Sequence, residues 1–313
     1  MRELDSYRQL FEEALTHEDD FLGQALAYVR SKRGKMMRPL LVLLIAREKG
    51  EIDMSTLRAA VTLELLHTAS LVHDDVVDES DERRGQASAN SVYGNKVAVL
   101  LGDYILSLAL QQAARTNSLE AVRIVAELGA TLSEGEVYQL ANIRQSHISE
   151  EAYFQVIHRK TAALFAACGE LAAHTAQGDE DFIRAARSFG ENVGICFQIR
   201  DDIFDYYDDN SIGKPTGNDM AEGKLTLPAL YVLTHASDPE MNAVASRIKS
   251  GIATAEDIRK MLEQAKVAGG IDYAWRVMES YRQKAEDCLQ HFHDPLIRQS
   301  LHDYLQYVVK RTF

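Results

Sequence analysis

Proline is absent from more than half of this chain. The five prolines stand at positions 39, 215, 228, 239 and 295, so residues 40–214 contain none. Proline lacks the N–H that an interior helical residue donates, and its ring clashes with the preceding turn. The proline-free region instead carries apolar residues at helical spacing, such as Val97, Leu100, Leu101, Tyr104 and Leu108. Alternating Val/Ile/Thr runs with hairpin dipeptides are scarce. The pattern predicts an all-α protein.

Composition and charge exclude several classes of function. The formal net charge of −13 disfavours a nucleic-acid partner, because phosphate backbones attract basic surfaces. The best apolar run, Pro39 to Ala46, is far shorter than the roughly 20 residues that span a bilayer. The N-terminus is acidic and amphipathic and lacks a signal-peptide core. Three cysteines without metal-ligand spacing predict a reduced protein, which we expect in the cytoplasm, with Cys168 and Cys196 in the core.

Helix-capping residues, glycines and prolines indicate where helices begin and end, but they mark no boundary of a second domain. Ser149, followed by two glutamates, predicts a helix start, and Thr254 with Asp257 predicts a capped one. Residues 210–228 hold three glycines and two prolines and form the one clear long loop. We therefore expect a single large helical domain over residues 1–313.

Two aspartate triplets share one spacing, Asp74-Asp75-x-x-Asp78 and Asp201-Asp202-x-x-Asp205. On a helix, the first and last members of a triplet lie on one face, a turn apart. Clustered carboxylates beside an apolar helix are costly unless cations neutralise them, and hard oxygen ligands suit magnesium. One such triplet is more often a solvated acidic face. The second copy and the nearby cations favour magnesium sites that clamp a diphosphate from two sides.

The nearby cations fall into four groups that can bind phosphate oxygens, arginine as a bidentate fork and lysine as a point charge. They are Lys35 and Arg38, then Arg83 and Arg84, then Lys160, and finally Lys214 and Lys224 in the long loop. For any one of them, a solubilising surface charge is the alternative, and for Lys160 taken alone it is the simpler reading.

With these residues in place, the chain resembles the trans-isoprenyl diphosphate (polyprenyl) synthases. The resemblance spans most of the chain and rests on six segments in the family's order: RGKMMRP (33–39), ELLHTASLVHDDVVDESDERRG (64–85), EGEVYQL (134–140), KTAALF (160–165), FQIRDDIFDY (197–206) and GKPTGNDMAEGKLTLP (213–228). It implies the type I isoprenoid synthase fold, with antiparallel helices around a central cavity. It also implies a homodimer.

The resemblance assigns roles to individual residues. About three magnesium ions would be bound by Asp74, Asp78, Asp201 and Asp205, with Asp75, Asp202 and again Asp205 supporting them through hydrogen bonds or water. The allylic diphosphate would be bound by Arg83, Lys160, Thr161, Gln198, Lys214 and Lys224, beside Phe197. The diphosphate of isopentenyl diphosphate would be bound by Lys35, Arg38, His67 and Arg84. His73 is not assigned as a ligand.

The implied reaction is magnesium-assisted ionisation of an allylic diphosphate, such as farnesyl diphosphate, and attack by isopentenyl diphosphate. The catalytic set would be Asp74, Asp75, Asp78, Arg83, Lys160, Asp201, Asp202 and Lys214. Small residues before the first triplet, Ala69 and Ser70, predict a long-chain synthase resembling octaprenyl diphosphate synthases, whose product goes to a membrane. Alternatively, Ala69 and Ser70 only permit close helix packing.

Three other functions stay open at this point. One is a short-chain farnesyl or geranylgeranyl diphosphate synthase. Another is a terpene cyclase, although such enzymes typically replace the second aspartate cluster and lack the isopentenyl-binding cations. The third is a non-catalytic subunit of a heteromeric synthase, which tends to lose aspartates from one cluster, whereas all six are present here.

Overall fold

The structure, a computed structural model, describes residues 2–32, 34–83, 85–144, 149–207, 216–235 and 238–310, with the side chains of 143 and 144 left aside. It confirms the all-α class. The helices of the described chain are α1 (Arg2–Ala14), α2 (Asp20–Ser31), α3 (Met37–Arg47), α4 (Met54–Val77), α5 (Ala89–Tyr93), α6 (Asn95–Ala114), α7 (Leu119–Arg144), α8 (Glu150–Ile157), α9 (Ala163–Thr175), α10 (Glu180–Phe204), α11 (Asn218–Ala221), α12 (Leu227–His235), α13 (Pro239–Lys249), α14 (Ala255–Val267), α15 (Gly270–Cys288) and α16 (Pro295–Lys310).

Four short elements interrupt this helical pattern. A π-helical turn, His158–Ala162, joins α8 to α9, and a 3-10 turn, Leu289–His291, follows α15. Strands β1 (Glu82–Arg83) and β2 (Gln86–Ala87) pair antiparallel, with Arg83 opposite Gln86. Gly85 adopts a positive φ of 72° in the turn between them, which glycine permits without steric cost.

The predicted helix starts at Ser149 and Thr254 are confirmed. The Ser149 hydroxyl accepts from the backbone N–H of Ala152 and caps α8. Thr254 and Asp257 form a reciprocal capping box at the start of α14. Each cap satisfies N–H groups that have no partner inside the helix.

The chain divides into two compact units. The first unit comprises residues 1–129, 164–190 and 289–301. Its core is built on α4, which packs against α6, α3 and α1. The middle of α3 is apolar over its whole circumference, and Leu41 to Ile45 are buried, as expected for a helix surrounded by others.

The second unit comprises residues 130–163, 191–288 and 302–313. Here α12 packs against α15 and α14, and α13 packs against α14. Cys196 is fully buried in this unit, and Cys168 is fully buried in the first, which confirms both as core residues. The expectation of one domain over residues 1–313 stays a prediction.

Helix α6 is the one helix among the described residues whose length and composition would allow it to cross a membrane. The core helix of a soluble protein meets the same criterion.

Candidate active site

In the first unit, the first triplet occupies the last turn of α4. Asp78 is the C-cap residue, and its N–H donates to the Asp74 carbonyl over 2.8 Å, so the two residues stack one turn apart as predicted. Asp74 is half-buried and Asp78 is exposed. Their carboxylates lie at the end of a helix whose preceding turns are buried, so that the protein supplies oxygen ligands at the margin of an apolar core.

Asp75, between these two residues in the sequence, is only 3% exposed. The Arg83 Nε donates to its Oδ1 over 2.5 Å. Burial raises the pKa of the Asp75 carboxyl, and the hydrogen bond and charge of Arg83 partly offset that rise. Asp75 therefore ties strand β1 to α4 and orients Arg83, in agreement with a supporting role.

A second group of predicted residues lies in the same unit around His67. Arg38 Nη1 lies 2.9 Å from His67 Nε2, and its guanidinium carbon lies 4.8 Å from the centre of the Phe165 ring. A guanidinium over an aromatic face is attracted by the negative π cloud. Lys35 is exposed before α3, so the structure brings Arg38 and His67 together and leaves Lys35 at the surface.

His73 belongs to the contact between α4 and α6. Its Nε2 lies 3.2 Å from Asp103 Oδ1 and 3.2 Å from the Val99 carbonyl oxygen. A Cβ on Gly102 would stand 2.3 Å from this nitrogen, so a larger residue there would require the ring to shift. These contacts agree with leaving His73 out of the ligand set.

In the second unit, the π-helical turn presents Lys160 and Thr161. A π-turn inserts one residue into a helix and often marks a functional site. Lys160 Nζ donates to Glu136 Oε1 over 2.6 Å and to Gln139 Oε1 over 3.0 Å. The Thr161 hydroxyl donates to Gln198 Oε1 over 2.7 Å.

A chain of hydrogen bonds leads from Thr161 to the second triplet. Gln198 Nε2 donates to Asp202 Oδ1 over 2.8 Å, and the Tyr153 hydroxyl donates to Asp202 Oδ2 over 2.5 Å. Both Asp202 oxygens thus accept hydrogen bonds inside the protein. Burial, followed by the charge of Asp219, raises the pKa of Asp202 well above its usual range. These hydrogen bonds are compatible with the supporting role that the resemblance implies for Asp202, which stays a prediction.

The other two members of the second triplet have different surroundings. Asp201 is 31% exposed, and its Oδ1 accepts from Nη1 of the fully buried Arg200 over 3.1 Å. Asp205 accepts from the N–H groups of Asn218 and Asp219 over 3.0 and 3.1 Å. Asp205 thus orders the start of α11, and its role as a metal ligand stays a prediction.

A cavity of about 230 Å³ opens beside these residues in the second unit. Its polar lining includes Lys160, Thr161, Gln198, Asp202, Asp219, Lys224 and Lys249. Burial and then repulsion from Asp205 raise the pKa of Asp219 to about 7, while Lys224 lowers it. Burial also lowers the pKa of Lys249. The cavity therefore combines cationic donors with carboxyls that resist ionisation.

This donor set fits a hard divalent cation. Asp202, Asp205 and Asp219 all have raised pKa values, with burial as the largest cause. A divalent cation would remove the repulsion among such carboxylates, and magnesium prefers oxygen ligands of this kind. Asp201, whose side chain is 31% exposed, could bind it in the second unit, and Asp74 with Asp78 offer oxygens in the first unit.

A third acidic group of the described chain, Glu120, Glu170 and His174, also has ligand-like spacing. Arg187 Nη1 lies 2.5 Å from Glu170 Oε2, and Arg123 Nη2 lies 3.6 Å from Glu170 Oε1. These ion pairs neutralise the carboxylates, so we assign the group to packing of the first unit.

Several predicted residues have other outcomes. Arg84 and Lys214 lie outside the described residues. Ala69 is 2% exposed, and Ser70 is half-buried with its hydroxyl donating to the His67 carbonyl over 2.9 Å. Lys224 lines the cavity and pairs with Glu222 over 2.5 Å. Phe197 is half-buried on α10.

The residues that sequence reasoning missed at this site include Asp219, Tyr153, Glu136, Gln139 and Lys249. Asp219 lay inside the quoted segment GKPTGNDMAEGKLTLP, and Glu136 and Gln139 lay inside EGEVYQL, so the segments held the signal without a role for these residues. Tyr153 had no local signal, because a tyrosine in an amphipathic helix usually belongs to the core.

Comparison with known proteins agrees with this geometry. The profile of the polyprenyl synthetase family matches residues 19–265. The octaprenyl diphosphate synthase of Haemophilus influenzae is 37% identical over 300 residues, which cover 96% of this chain and 91% of the relative.

Two solved structures have the same fold. The geranylgeranyl pyrophosphate synthase of Bacteroides thetaiotaomicron is 48% identical, with a TM-score of 0.87 over 99% of this chain and 96% of that one. A polyprenyl synthase of Caulobacter crescentus, complexed with calcium and isoprenyl diphosphate, is 32% identical, with a TM-score of 0.92 over 99% and 95%.

Proposed function

Because this chain belongs to the polyprenyl synthetase family and is therefore a prenyltransferase, we propose that it makes a long all-trans prenyl diphosphate. It condenses isopentenyl diphosphate onto an allylic diphosphate such as farnesyl diphosphate and releases diphosphate. The observation that carries this proposal is the cavity beside the second triplet, where lysines and hydrogen-bond donors line a wall that also holds buried carboxyls.

Each group of residues has a part in this reaction. Asp74 and Asp78 in the first unit and Asp201 in the second would hold magnesium, which would neutralise the negative charge of the leaving diphosphate. Lys160 and Lys224 donate to the diphosphate oxygens, and the Thr161 hydroxyl joins them when its one proton turns from Gln198 to the ligand. Preorganised donors of this kind stabilise the charge that develops as the C–O bond breaks.

The incoming isopentenyl diphosphate is bound in the first unit by Arg38 and His67, with Lys35 at the surface. Holding the double bond beside the allylic carbon converts a collision into a positioned reaction. The proton lost at the end passes to the departing diphosphate, so no dedicated side-chain base is required.

We infer a hepta- to decaprenyl product from the small residues before the first triplet. Ser70 precedes Asp74 by four residues, or about 6 Å along the helix axis, close to the length of one isoprene unit. A bulky side chain at Ser70 would stop the growing chain early, and the half-buried Ser70 leaves space for it. A geranylgeranyl product is the second candidate, since the 48% identical solved structure is a geranylgeranyl pyrophosphate synthase.

The purified chain, incubated alone with magnesium, isopentenyl diphosphate and farnesyl diphosphate, tests this function. Diphosphate release reports transfer, and mass analysis of the dephosphorylated product reports its length. We expect products in the hepta- to decaprenyl range. A product that ends at geranylgeranyl diphosphate would select the second candidate. The absence of release would reject catalysis by the chain alone and point to a heteromeric enzyme.

The chain-length assignment has its own test. Ser70→Phe should shift the product to shorter chains, and Ser70→Ala should leave the distribution unchanged. Ala69→Phe is a poorer probe, because Ala69 is 2% exposed and a phenyl ring would overpack the core. An unchanged distribution in folded Ser70→Phe would refute the role of this position.

We further propose a homodimer located in the cytoplasm that delivers its product to a membrane. Helix α6 supports the dimer, because Val99, Leu100 and Leu110 are 40%, 68% and 45% exposed. Exposed apolar side chains gathered on the outer face of one helix typically mark an interaction surface.

A further inference from the structure

The segment EGEVYQL on α7 has no role in the reaction described so far, although it contacts one of the diphosphate-binding residues. We propose that Glu136, with Gly135 and Gln139, forms a positioning site for Lys160. This site holds the lysine ammonium at the cavity wall, ready to donate to the allylic diphosphate. The inference rests on the proposed function and adds the residues that orient its cationic donor.

Two residues of α7 hold the ammonium group of Lys160. Its Nζ lies 2.6 Å from Glu136 Oε1 and 3.0 Å from Gln139 Oε1. The Lys160 and Glu136 side chains are 20% and 24% exposed, and Gln139 is 9% exposed. A lysine ammonium has three donors, so two that are fixed on α7 leave the third for a ligand in the cavity that Lys160 lines.

Gly135 allows the π-helical turn to lie close to the backbone of α7. A Cβ on Gly135 would stand 2.8 Å from Arg159 Cβ and 3.1 Å from Lys160 Cγ, so glycine lets the π-helical turn approach α7 closely. The φ of Gly135 is not positive, so glycine is required at this position for lack of space and not for backbone conformation. The close approach brings the Lys160 side chain within reach of Glu136.

Charge and flexibility explain why lysine needs such a partner. Its side chain has four rotatable bonds and would otherwise spread over many rotamers, which lowers the affinity of any ligand that must select one. Glu136 and Gln139 fix the ammonium before the diphosphate arrives. The alternative is a structural ion pair with no bearing on the ligand, and partly exposed pairs often contribute little.

The experiment measures magnesium diphosphate binding by calorimetry and both Michaelis constants. The variants are Glu136→Ala, Glu136→Gln, Gly135→Ala and Lys160→Ala, with Glu134→Ala as the matched control. Glu134 is exposed on the same helix and forms no ion pair with any residue of the described chain. Thermal unfolding of each variant verifies that it is folded.

We expect Glu136→Ala to raise the Kd for magnesium diphosphate and the KM for the allylic substrate about tenfold. Glu136→Gln, which keeps an acceptor without the charge, should raise the same Kd and KM two- to fourfold. Gly135→Ala should raise them as much as Glu136→Ala does. The KM for isopentenyl diphosphate should stay within twofold, because Lys160 does not bind that substrate. In the Lys160→Ala background, Glu136→Ala should have no further effect on diphosphate binding.

Four results would overturn the inference. Glu136→Ala could match Glu134→Ala, it could raise both KM values equally, or it could tighten diphosphate binding and so reveal competition between carboxylate and ligand. The fourth is an additive effect in the Lys160→Ala background, which would reject action through Lys160. If the wild type binds magnesium diphosphate but makes no prenyl product, the proposed function fails while the binding cycle still tests the positioning site.

Discussion

Two glycines should control the stability of the first unit, since they let α9 and α10 touch backbone to backbone. A Cβ on Gly169 would lie 2.0 Å from the Ala186 carbonyl oxygen, and one on Gly190 would lie 2.1 Å from the Phe165 carbonyl oxygen. The relation is reciprocal, because each helix presents a glycine to a carbonyl of the other. Gly169→Ala and Gly190→Ala are the perturbations.

The size of the destabilisation depends on which atoms the added Cβ would contact. A carbonyl oxygen of a helix cannot rotate away as a side chain can, so the two helices must separate by about 1 Å to restore a normal contact. Overpacking of this kind costs about 1–3 kcal/mol, here near the upper limit because a backbone atom is met. Replacing glycine by alanine inside a helix also raises the free energy of unfolding by about 1 kcal/mol, because alanine has the higher helix propensity, and this gain partly offsets the cost. We expect each substitution to lower the free energy of unfolding by about 2 kcal/mol.

Gly129→Ala on α7 is the matched control. Its Cβ would meet no described heavy atom within 4 Å, and its φ is not positive, so only the gain in helix propensity remains. We expect an increase of about 1 kcal/mol in the free energy of unfolding. Urea titration followed by circular dichroism should separate Gly169→Ala from Gly129→Ala by about 3 kcal/mol. Equal stability for these two variants would refute the argument from close backbone packing.

Three further predictions concern titration, thiols and assembly. Because burial raises the pKa of Asp219 to about 7 from 3.8, the metal-free native state holds a proton that the unfolded chain releases. Its free energy of unfolding in EDTA should therefore fall as pH rises through that interval, and Asp219→Asn should flatten the slope; a steeper slope in Asp219→Asn would contradict this. Burial raises the pKa values of Cys168 and Cys196 to about 12, so iodoacetamide at pH 8 should label Cys288 first in the native protein, and equal labelling of all three would reject that order. Leu100→Glu should shift the sedimentation coefficient from dimer towards monomer, whereas the exposed Leu296→Glu should not, and an unchanged dimer in Leu100→Glu would exclude α6 from the interface.

Local sequence signals predicted part of the local geometry of the candidate site correctly. The spacing of Asp74 and Asp78 predicted their stacking one turn apart, because helical periodicity is a property of the chain itself. The same periodicity could not distinguish the middle residue of a triplet, and only the structure shows that Asp75 bonds Arg83 while Asp202 bonds Tyr153 and Gln198. These partners are distant in sequence, so no local pattern encodes them.

The π-helical turn at His158–Ala162 is a second feature that local sequence patterns could not predict. A single inserted residue changes which side chains face the cavity, yet it leaves the apolar pattern of the flanking helices almost unaltered. Lys160 can therefore be recognised from sequence as the cation that begins KTAALF, although a surface charge is the simpler interpretation of this lysine alone. Its partners on α7 required the structure.

The sequence by itself determined the helical class, the helix caps at Ser149 and Thr254, and the two aspartate triplets, because each depends on residues within one or two turns of each other. The six ordered segments determined the family. Only the tertiary structure decided which carboxylates are buried and resist ionisation, which lysine is held by Glu136, and where glycine is needed for space. Those properties arise from contacts between helices, and burial and close approach are defined only after the helices pack.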